Sequence, residues 1–282
     1  MIRTIALALC LAAPLSTSAQ TLDEIVAKHL EARGGLDRLR AIRTVRVIAH
    51  ESEGDFVVVE EKGPNLIRTT VLSSGVTVAD YEKVVRTMQG QSNSIAADQV
   101  PSGSFRVRYE RRTTGPDSMS EWVWAFDGTS YWEWSPTNAA NSRAPSRGPD
   151  VRTLVDNDRH GFSIQSPLMD YAEKGSRVEL TGEAGTEGRA CYRLRVTSRQ
   201  GVVRNVFIDA QTYLEVAVEY EPQEWSPGWR RTYHNWKVVD GVAVPHTIKT
   251  IQQWMRNVRL IDKVEFNVPI DHRRFAMPTG VR

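Results

Sequence analysis

Residues able to carry chemistry are few in this chain, and they are scattered. There are six histidines and two cysteines in 282 residues. No two histidines stand at the helical spacing that presents a metal-binding pair. The nucleophile elbow G-x-S-x-G, the phosphate cradle G-x-x-x-x-G-K-S/T, the zinc motif H-E-x-x-H and the redox pair C-x-x-C are all missing. Acid pairs such as Glu60-Glu61 are adjacent, so on a strand they point to opposite faces. Asp156-Asn-Asp158-Arg-His160 has metal-ligating residue types, but its spacing matches no standard loop and reads as a solvated turn. Cys191 lies in a strand-like alternation with Ala190, Tyr192, Leu194 and Val196, and no local base activates it. The expectation is a protein that is not an enzyme, with no catalytic residue, no metal and no cofactor.

The apolar inventory is more informative. All eight tryptophans fall between Trp122 and Trp254. The densest run is Glu121-Trp-Val-Trp-Ala-Phe-Asp-Gly-Thr-Ser-Tyr-Trp-Glu-Trp134, in which Asp127-Gly128 marks a tight turn between two strand-like arms. Alternate side chains on a strand share a face. Trp122, Trp124 and Phe126 thus group on one arm, and Trp132 and Trp134 on the other. If the two faces coincide, the hairpin is an aromatic wall, suited to flexible acyl chains because indoles are rigid and lose little entropy on contact. Aromatics on a strand face also serve as ordinary core.

The elements that must position this wall begin with an N-terminal leader. Arg3 supplies a positive start, Ile5 to Leu15 is an apolar run too short to span a bilayer, and Thr17-Ser18-Ala19 offers a cleavage site. Residues 1–19 therefore read as a secretory signal peptide, and 20–282 as a single soluble, exported domain, with no transmembrane segment in the mature chain. Cys10 lies within the leader behind Leu9, where lipoprotein processing wants a small residue, so no lipid anchor is expected. Only Cys191 remains afterwards, so no internal disulfide forms and the core holds the fold alone. The formal net charge of +2 falls by one with Arg3. That balance excludes a dedicated nucleic-acid binder, and Arg106-Val-Arg108-Tyr-Glu-Arg111-Arg112 reads as a solvated strand face.

Thr21-Leu-Asp-Glu24 has the form of a capping box. Leu22, Ile25, Val26, Leu30, Leu36 and Leu39 follow at helical spacing, predicting an amphipathic helix to about Ile42 that Gly34-Gly35 bends or splits. His29 lies near the apolar stripe and reads as a satisfied structural histidine. From Thr44 the period becomes two. Strands are predicted at Val45 to Ala49, Phe56 to Glu60, Leu66 to Val71, Val76 to Val85 and Phe105 to Arg112. Beyond the tryptophan hairpin they recur at Val178 to Leu180, Ala190 to Thr197, Val202 to Asp209, Tyr213 to Tyr220, Arg230 to Val238, His246 to Met255 and Val258 to Val268. Gln89 to Ser104 and Thr137 to Asp150 read as loops, Asp150 to Val155 and Leu168 to Glu173 as short helices, and Asp240-Gly241 as a second turn. On the Tyr213 to Tyr220 strand, Glu215 and Glu219 are expected on a wet face opposite Leu214, Val216, Val218 and Tyr220. The class is mainly β and antiparallel, with no internal repeat.

Several stretches, in order, resemble the LolA-like family of outer-membrane lipoprotein-sorting proteins. They are Leu30-Glu-Ala-Arg-Gly-Gly-Leu-Asp-Arg-Leu-Arg-Ala-Ile-Arg-Thr44, Phe126-Asp-Gly-Thr-Ser-Tyr-Trp132 and Ser166-Pro-Leu-Met-Asp-Tyr-Ala-Glu-Lys-Gly-Ser-Arg-Val-Glu-Leu180. Val206-Phe-Ile-Asp-Ala-Gln-Thr-Tyr-Leu-Glu-Val216, Val239-Asp-Gly-Val-Ala-Val-Pro-His-Thr-Ile248, Val264-Glu-Phe-Asn-Val-Pro-Ile270 and Phe275-Ala-Met-Pro278 complete the set. The resemblance implies an unclosed antiparallel β-barrel, a strongly curved sheet with an N-terminal helix and short helices over its concave face. It implies a periplasmic carrier whose apolar concavity holds the acyl chains of a lipidic or lipoprotein-like ligand. Related sheets serve as envelope sensors. The segment Val76 to Ser118 is longer than that pattern, and 137–165 is unusually polar.

On this reading Trp122, Trp124, Trp132, Trp134, Trp236 and Trp254 contact the ligand, and Leu22, Val26 and Leu30 are lid residues. The partners are a lipid or acylated protein and envelope proteins, not nucleic acid. The alternatives are a protein-binding or envelope-sensing module with a dry-packed sheet, and an enzyme with an unrecognised site.

Overall fold

The computed structural model describes residues 20–53, 56–63, 66–73, 92–100, 106–115, 118–127, 129–135, 143–146, 165–222, 228–252 and 255–276. It begins with helix α1 (Leu22–Ala32), whose start is set locally. The Thr21 hydroxyl accepts from the Glu24 amide at 3.3 Å, and the Glu24 carboxylate accepts from the Thr21 amide at 3.0 Å. Asp23 and Glu24 in the first turn complement the helix dipole. Gly34 (φ 119°) and Gly35 (φ 90°) then take conformations that side chains disfavour, and they divide α1 from the short α2 (Leu36–Arg40). A Cβ at Gly34 would stand 2.3 Å from the Gly241 carbonyl oxygen, so this position also needs glycine for close approach.

The strands of the first half are β1 (Val45–Glu53), β2 (Phe56–Gly63), β3 (Leu66–Ser73), β4 (Ser92–Val100), β5 (Arg106–Gly115), β6 (Ser118–Phe126), β7 (Tyr131–Trp134) and β8 (Arg143–Ser146). Those of the second half are β9 (Arg177–Thr186), β10 (Arg189–Thr197), β11 (Val203–Asp209), β12 (Glu215–Tyr220), β13 (Trp229–Val239), β14 (Val242–Gln252) and β15 (Met255–Phe266). Among the described residues thirteen of them form one sheet in the order β8-β7-β6-β5-β4-β1-β15-β14-β13-β12-β11-β10-β9, while β2 and β3 pair with each other. Neighbours are antiparallel, and β8 and β9 are the two edges, so the sheet does not close. Bulges at Ile48/Ala49, Arg193/Leu194 and Phe207/Ile208 shift the register and bend the strands.

The helices cover one face of this sheet. Ile25 and Val26 of α1 join Leu194, Val206, Ile208 and Val218 in one buried cluster. Leu39 and Ile42 join Val45, Val47, Val242, Val244 and Val264 in a second, which reaches Phe126 and Tyr131 of the β6–β7 hairpin. Burial of each such side chain contributes roughly 1.5–3 kcal/mol. The segment Ser166–Ser176, which leads into edge strand β9, lies in the same layer, with Leu168 in the first cluster and Met169 in the second. We refer to it as the strap.

Four expectations are corrected. Gln89 to Ser104 is not all loop, because Ser92–Val100 is β4. Its polar sequence has weak strand propensity, but backbone pairing to β1 and β5 on both sides overrides that. Thr137 to Asp150 contains edge strand β8, where Pro145 is tolerated because one side of an edge needs no donor. Leu168 to Glu173 is a run of turns, since Asp170 adopts φ 52° and interrupts any helix. Glu215 is buried instead of facing water. The predicted helix and its split, the Asp240-Gly241 turn and the remaining strands stand as expected. The segments Val76 to Val85, Asp150 to Val155 and Asp156 to His160, and the leader 1–19, lie outside the described residues.

The aromatic wall also divides. Phe126 pairs with Tyr131, Ala125 with Trp132 and Val123 with Trp134. Trp132 and Trp134 thus pack with Val123 and Ala125, on the face opposite Phe126 and Tyr131. Positions 122 and 124 have the parity of Phe126, not of Trp132 and Trp134. Trp132 is fully buried, and its indole N–H donates to the Phe275 carbonyl at 2.9 Å, in the 3-10 turn His272–Phe275. This geometry predicts a cost of about 1 kcal/mol for Trp132→Phe, which removes the hydrogen bond, and about 3–5 kcal/mol for Trp132→Ala. Urea unfolding midpoints at constant slope are the check.

Candidate functional site: the helix-covered face and its latch

The apolar contacts under α1 are continued by a buried polar cluster that fixes the helix to the sheet. His29 and Arg33 follow Ile25 at helical spacing on the buried stripe, one and two turns along. The Arg33 guanidinium donates from Nη1 to Glu215 Oε2 at 2.7 Å and from Nε to the Ala243 carbonyl at 3.0 Å. It also lies 5.1 Å from the Trp236 ring centroid. The Ala243 amide returns a hydrogen bond to the Arg33 carbonyl at 3.0 Å. Arg33 and Glu215 are 3% and 5% exposed, so both charges are largely out of water. Such a pair is tolerated because each charge is both paired and hydrogen-bonded. The planar fork of arginine suits this three-way contact better than a lysine ammonium.

His29 completes the cluster. Its Nδ1 lies 2.8 Å from the Tyr213 carbonyl, which can only accept, so Nδ1 carries the proton. Nε2 is then the acceptor for the Ser166 hydroxyl at 2.9 Å, while Ser166 Oγ itself accepts from the Leu168 amide. Glu215 Oε1 stands 3.7 Å from Nε2. Burial pushes the imidazole below its ordinary value, Glu215 opposes that, and Arg33 reinforces it. The net direction is downward, and the neutral ring fits both hydrogen bonds. A second fastening lies nearer solvent, where Arg40 of α2 donates to Asp170 at 2.5 Å and reaches Glu173. Its exposure makes it the weaker of the two. The helix layer is thus latched to β12, β14 and the strap.

Further along the same face, Tyr220 and Trp229 stack with centroids 3.7 Å apart. Arg231 lies 4.2 Å over Trp229, and Arg204 lies 5.5 Å over Tyr220 and donates to its hydroxyl at 2.9 Å. Both rings belong to the cluster that includes Ile25 and Val26.

The residues expected at the ligand are distributed unevenly. Val26 is buried, and Leu22 and Leu30 are half-buried against the helix-side clusters. Trp236 is half-buried beside Arg33, brought near Tyr233 by the left-handed Asn235 (φ 52°), which breaks the strand alternation. Trp132 and Trp134 lie on the other face. The side chains of Trp122 and Trp124, and Trp254 entirely, are outside the described residues. The latch residues Arg33, Ser166 and Glu215 and the Tyr220–Trp229 stack did not emerge from sequence. Arg33 had a signal, since it shares the buried stripe with Ile25 and His29. Cys191 is buried in β10 and its thiol is pushed up, chiefly by burial, as suits an inert strand residue.

No protein-family model and no curated protein sequence matches the chain. Solved structures do. A DUF1329 family protein from Desulfovibrio piger superposes with a TM-score of 0.52 at 13% identity, over 90% of this chain and 96% of that one. A LolA superfamily protein from Nitrosomonas europaea superposes with a TM-score of 0.50 at 11% identity, over 92% and 99%. The chain therefore has the LolA-like fold, an unclosed antiparallel sheet with helices over its concave face. Among the described residues no helix is long and apolar enough to cross a membrane.

The latch makes a quantitative prediction. Glu215→Gln strips Arg33 of this carboxylate in a desolvated site and is expected to cost about 3–5 kcal/mol. The joint replacement Arg33→Met with Glu215→Leu should cost less than either single change. A double-mutant cycle by denaturant unfolding measures that coupling.

Proposed function

We propose that this protein is an exported carrier, one domain from residue 20 to 282, that holds a lipidic or acylated ligand in the periplasm without catalysis. The observation that carries this reading is the helix layer. It covers the apolar side of an unclosed sheet, yet its polar fastening is confined to a few specific bonds centred on Arg33 and His29. Those few bonds are the ones a cover would break and remake as it leaves and returns. The family whose motifs the sequence resembles uses its concavity for acyl chains, and the shared fold supports the same use here.

Packing beneath α1 is dry: Ile25, Leu168 and Leu194 are fully buried. An acyl chain therefore takes the place of lid side chains such as Leu22, Val26 and Leu30 when the helix lifts. Trp236 borders that space, and Trp122, Trp124 and Trp254 are proposed to line it. Trp132 is held by the C-terminal turn on the other face and serves the core.

The same dry packing favours a second reading, in which the sheet is permanently filled and the molecule binds a protein partner as an envelope sensor. Tryptophan fluorescence separates the two. Titration with a fatty-acyl ligand should shift or quench emission in the wild type and in Trp134→Phe, and the response should shrink in the Trp122→Phe/Trp124→Phe double variant. A flat titration, with no lipid co-purifying in native mass spectrometry, would exclude the carrier reading.

A further inference from the structure

We propose that His29 makes the latch acid-labile, so that protonation of its ring releases α1 from the strap and from β12 and uncovers the helix-covered face. The use of this opening to discharge a ligand rests on the carrier reading above, but the opening itself needs no ligand.

The geometry is specific. His29 is wholly buried, and both ring nitrogens are committed in a way that suits the neutral tautomer. The charged and titratable groups around it come from three directions. Arg33 and Lys28 lie on its own helix, with Lys28 3.3 Å from the Tyr213 hydroxyl; Glu215 comes from β12; and Tyr213 comes from the turn before β12. The strap contributes the neutral Ser166. Among the described residues only one of these groups is a carboxylate, and Arg33 holds it at 2.7 Å. A protonated His29 would be a second buried cation sharing one buried anion. It would also force the Ser166 hydroxyl to turn from donor to acceptor beside the Leu168 amide, from which it already accepts. Lifting α1 returns the imidazole to water and removes both conflicts.

The sign follows from linkage. In the closed state the ring binds its proton less tightly than an exposed imidazole of pKa 6.5, chiefly because burial disfavours the charged form. The open state therefore takes up the proton first. Closure is at full strength above about pH 6.5 and weakens as pH falls toward the depressed closed-state value. His246 is also buried and depressed by burial, but it lies on β14 against the Val244 carbonyl, so its protonation strains the sheet and not the latch. A variant at position 29 separates the two.

The test is hydrogen exchange of the ligand-free mature chain between about pH 7.5 and about pH 5, corrected for intrinsic exchange. Peptides from α1 and the strap should lose protection together on acidification, by up to about tenfold per pH unit, the limit for one linked proton. Those from β10 and β11 should stay protected. His29→Gln, whose amide can donate to Tyr213 and accept from Ser166 at any pH, should give a flat profile. Three results would overturn the proposal: flat α1 protection in the wild type, the same pH dependence in His29→Gln, or loss of β10 and β11 protection in step with α1. If His29→Gln does not fold, the wild-type ring titration by NMR decides. Exchange of α1 must begin to rise near pH 6.5 and level off where the ring titrates, and a rise that starts only below the ring transition refutes the latch. An acid-opened lid that never binds an acyl ligand would refute the carrier reading while leaving the latch intact.

Discussion

The contact between Arg33 and Glu215 sets the position of everything above the sheet. Hydrophobic burial is non-directional, so Ile25, Val26 and Leu39 alone would let the helix layer slide or rotate at modest cost. A desolvated guanidinium admits no such freedom, because each misplaced N–H is a buried donor without its acceptor. By reaching the Glu215 carboxylate, the Ala243 carbonyl and the Trp236 face together, Arg33 fixes both the rotation of α1 and its distance from the β13–β14 turn. The close approach of Gly34 to Gly241 at the same corner follows from that placement.

The two faces of the sheet are then assigned different work. The helix side carries long apolar rows interrupted by buried polar groups. On the opposite side, the described apolar patches are small. One, around Cys191 and Phe207, lies under the Arg230 guanidinium, and the other, around Trp132, lies under the C-terminal turn. Tryptophan density alone therefore marks no single surface. Trp132 stabilises one side of the β6–β7 hairpin, while Trp229 and Trp236 face the helix layer from β13.

What was legible in sequence was what is decided locally or by strand period. The Thr21–Glu24 cap, the break at Gly34-Gly35, the Asp240-Gly241 turn and most strands need only neighbouring residues to specify them. The remainder depends on partners distant in sequence. Glu215 alternates like a wet-face residue and is buried only because α1 delivers Arg33 to it. The β4 sequence is too polar to announce a strand and is one because β1 and β5 require a neighbour. The hairpin parity was readable in principle. The loop from Asp127 to Ser130 is four residues long, closed by Asp127 accepting from the Thr129 and Ser130 amides. Any even loop, whether of two residues or four, pairs odd positions with even ones. The indoles of the two arms could have coincided only across an odd loop.

One further consequence lies in the pairing of β1 with β15. It joins Val45 to Phe266, far apart in sequence, and unites two meanders, the first of which is interrupted between β1 and β4 by the separate β2–β3 hairpin. Each meander can assemble from neighbouring strands, but their union waits for β15. Because α1 precedes β1 and packs on strands of the second meander, that helix is made first and seated last. Those completing contacts have high sequence separation and form slowly. The topology thus defers the seating of α1 until β15 has paired with β1.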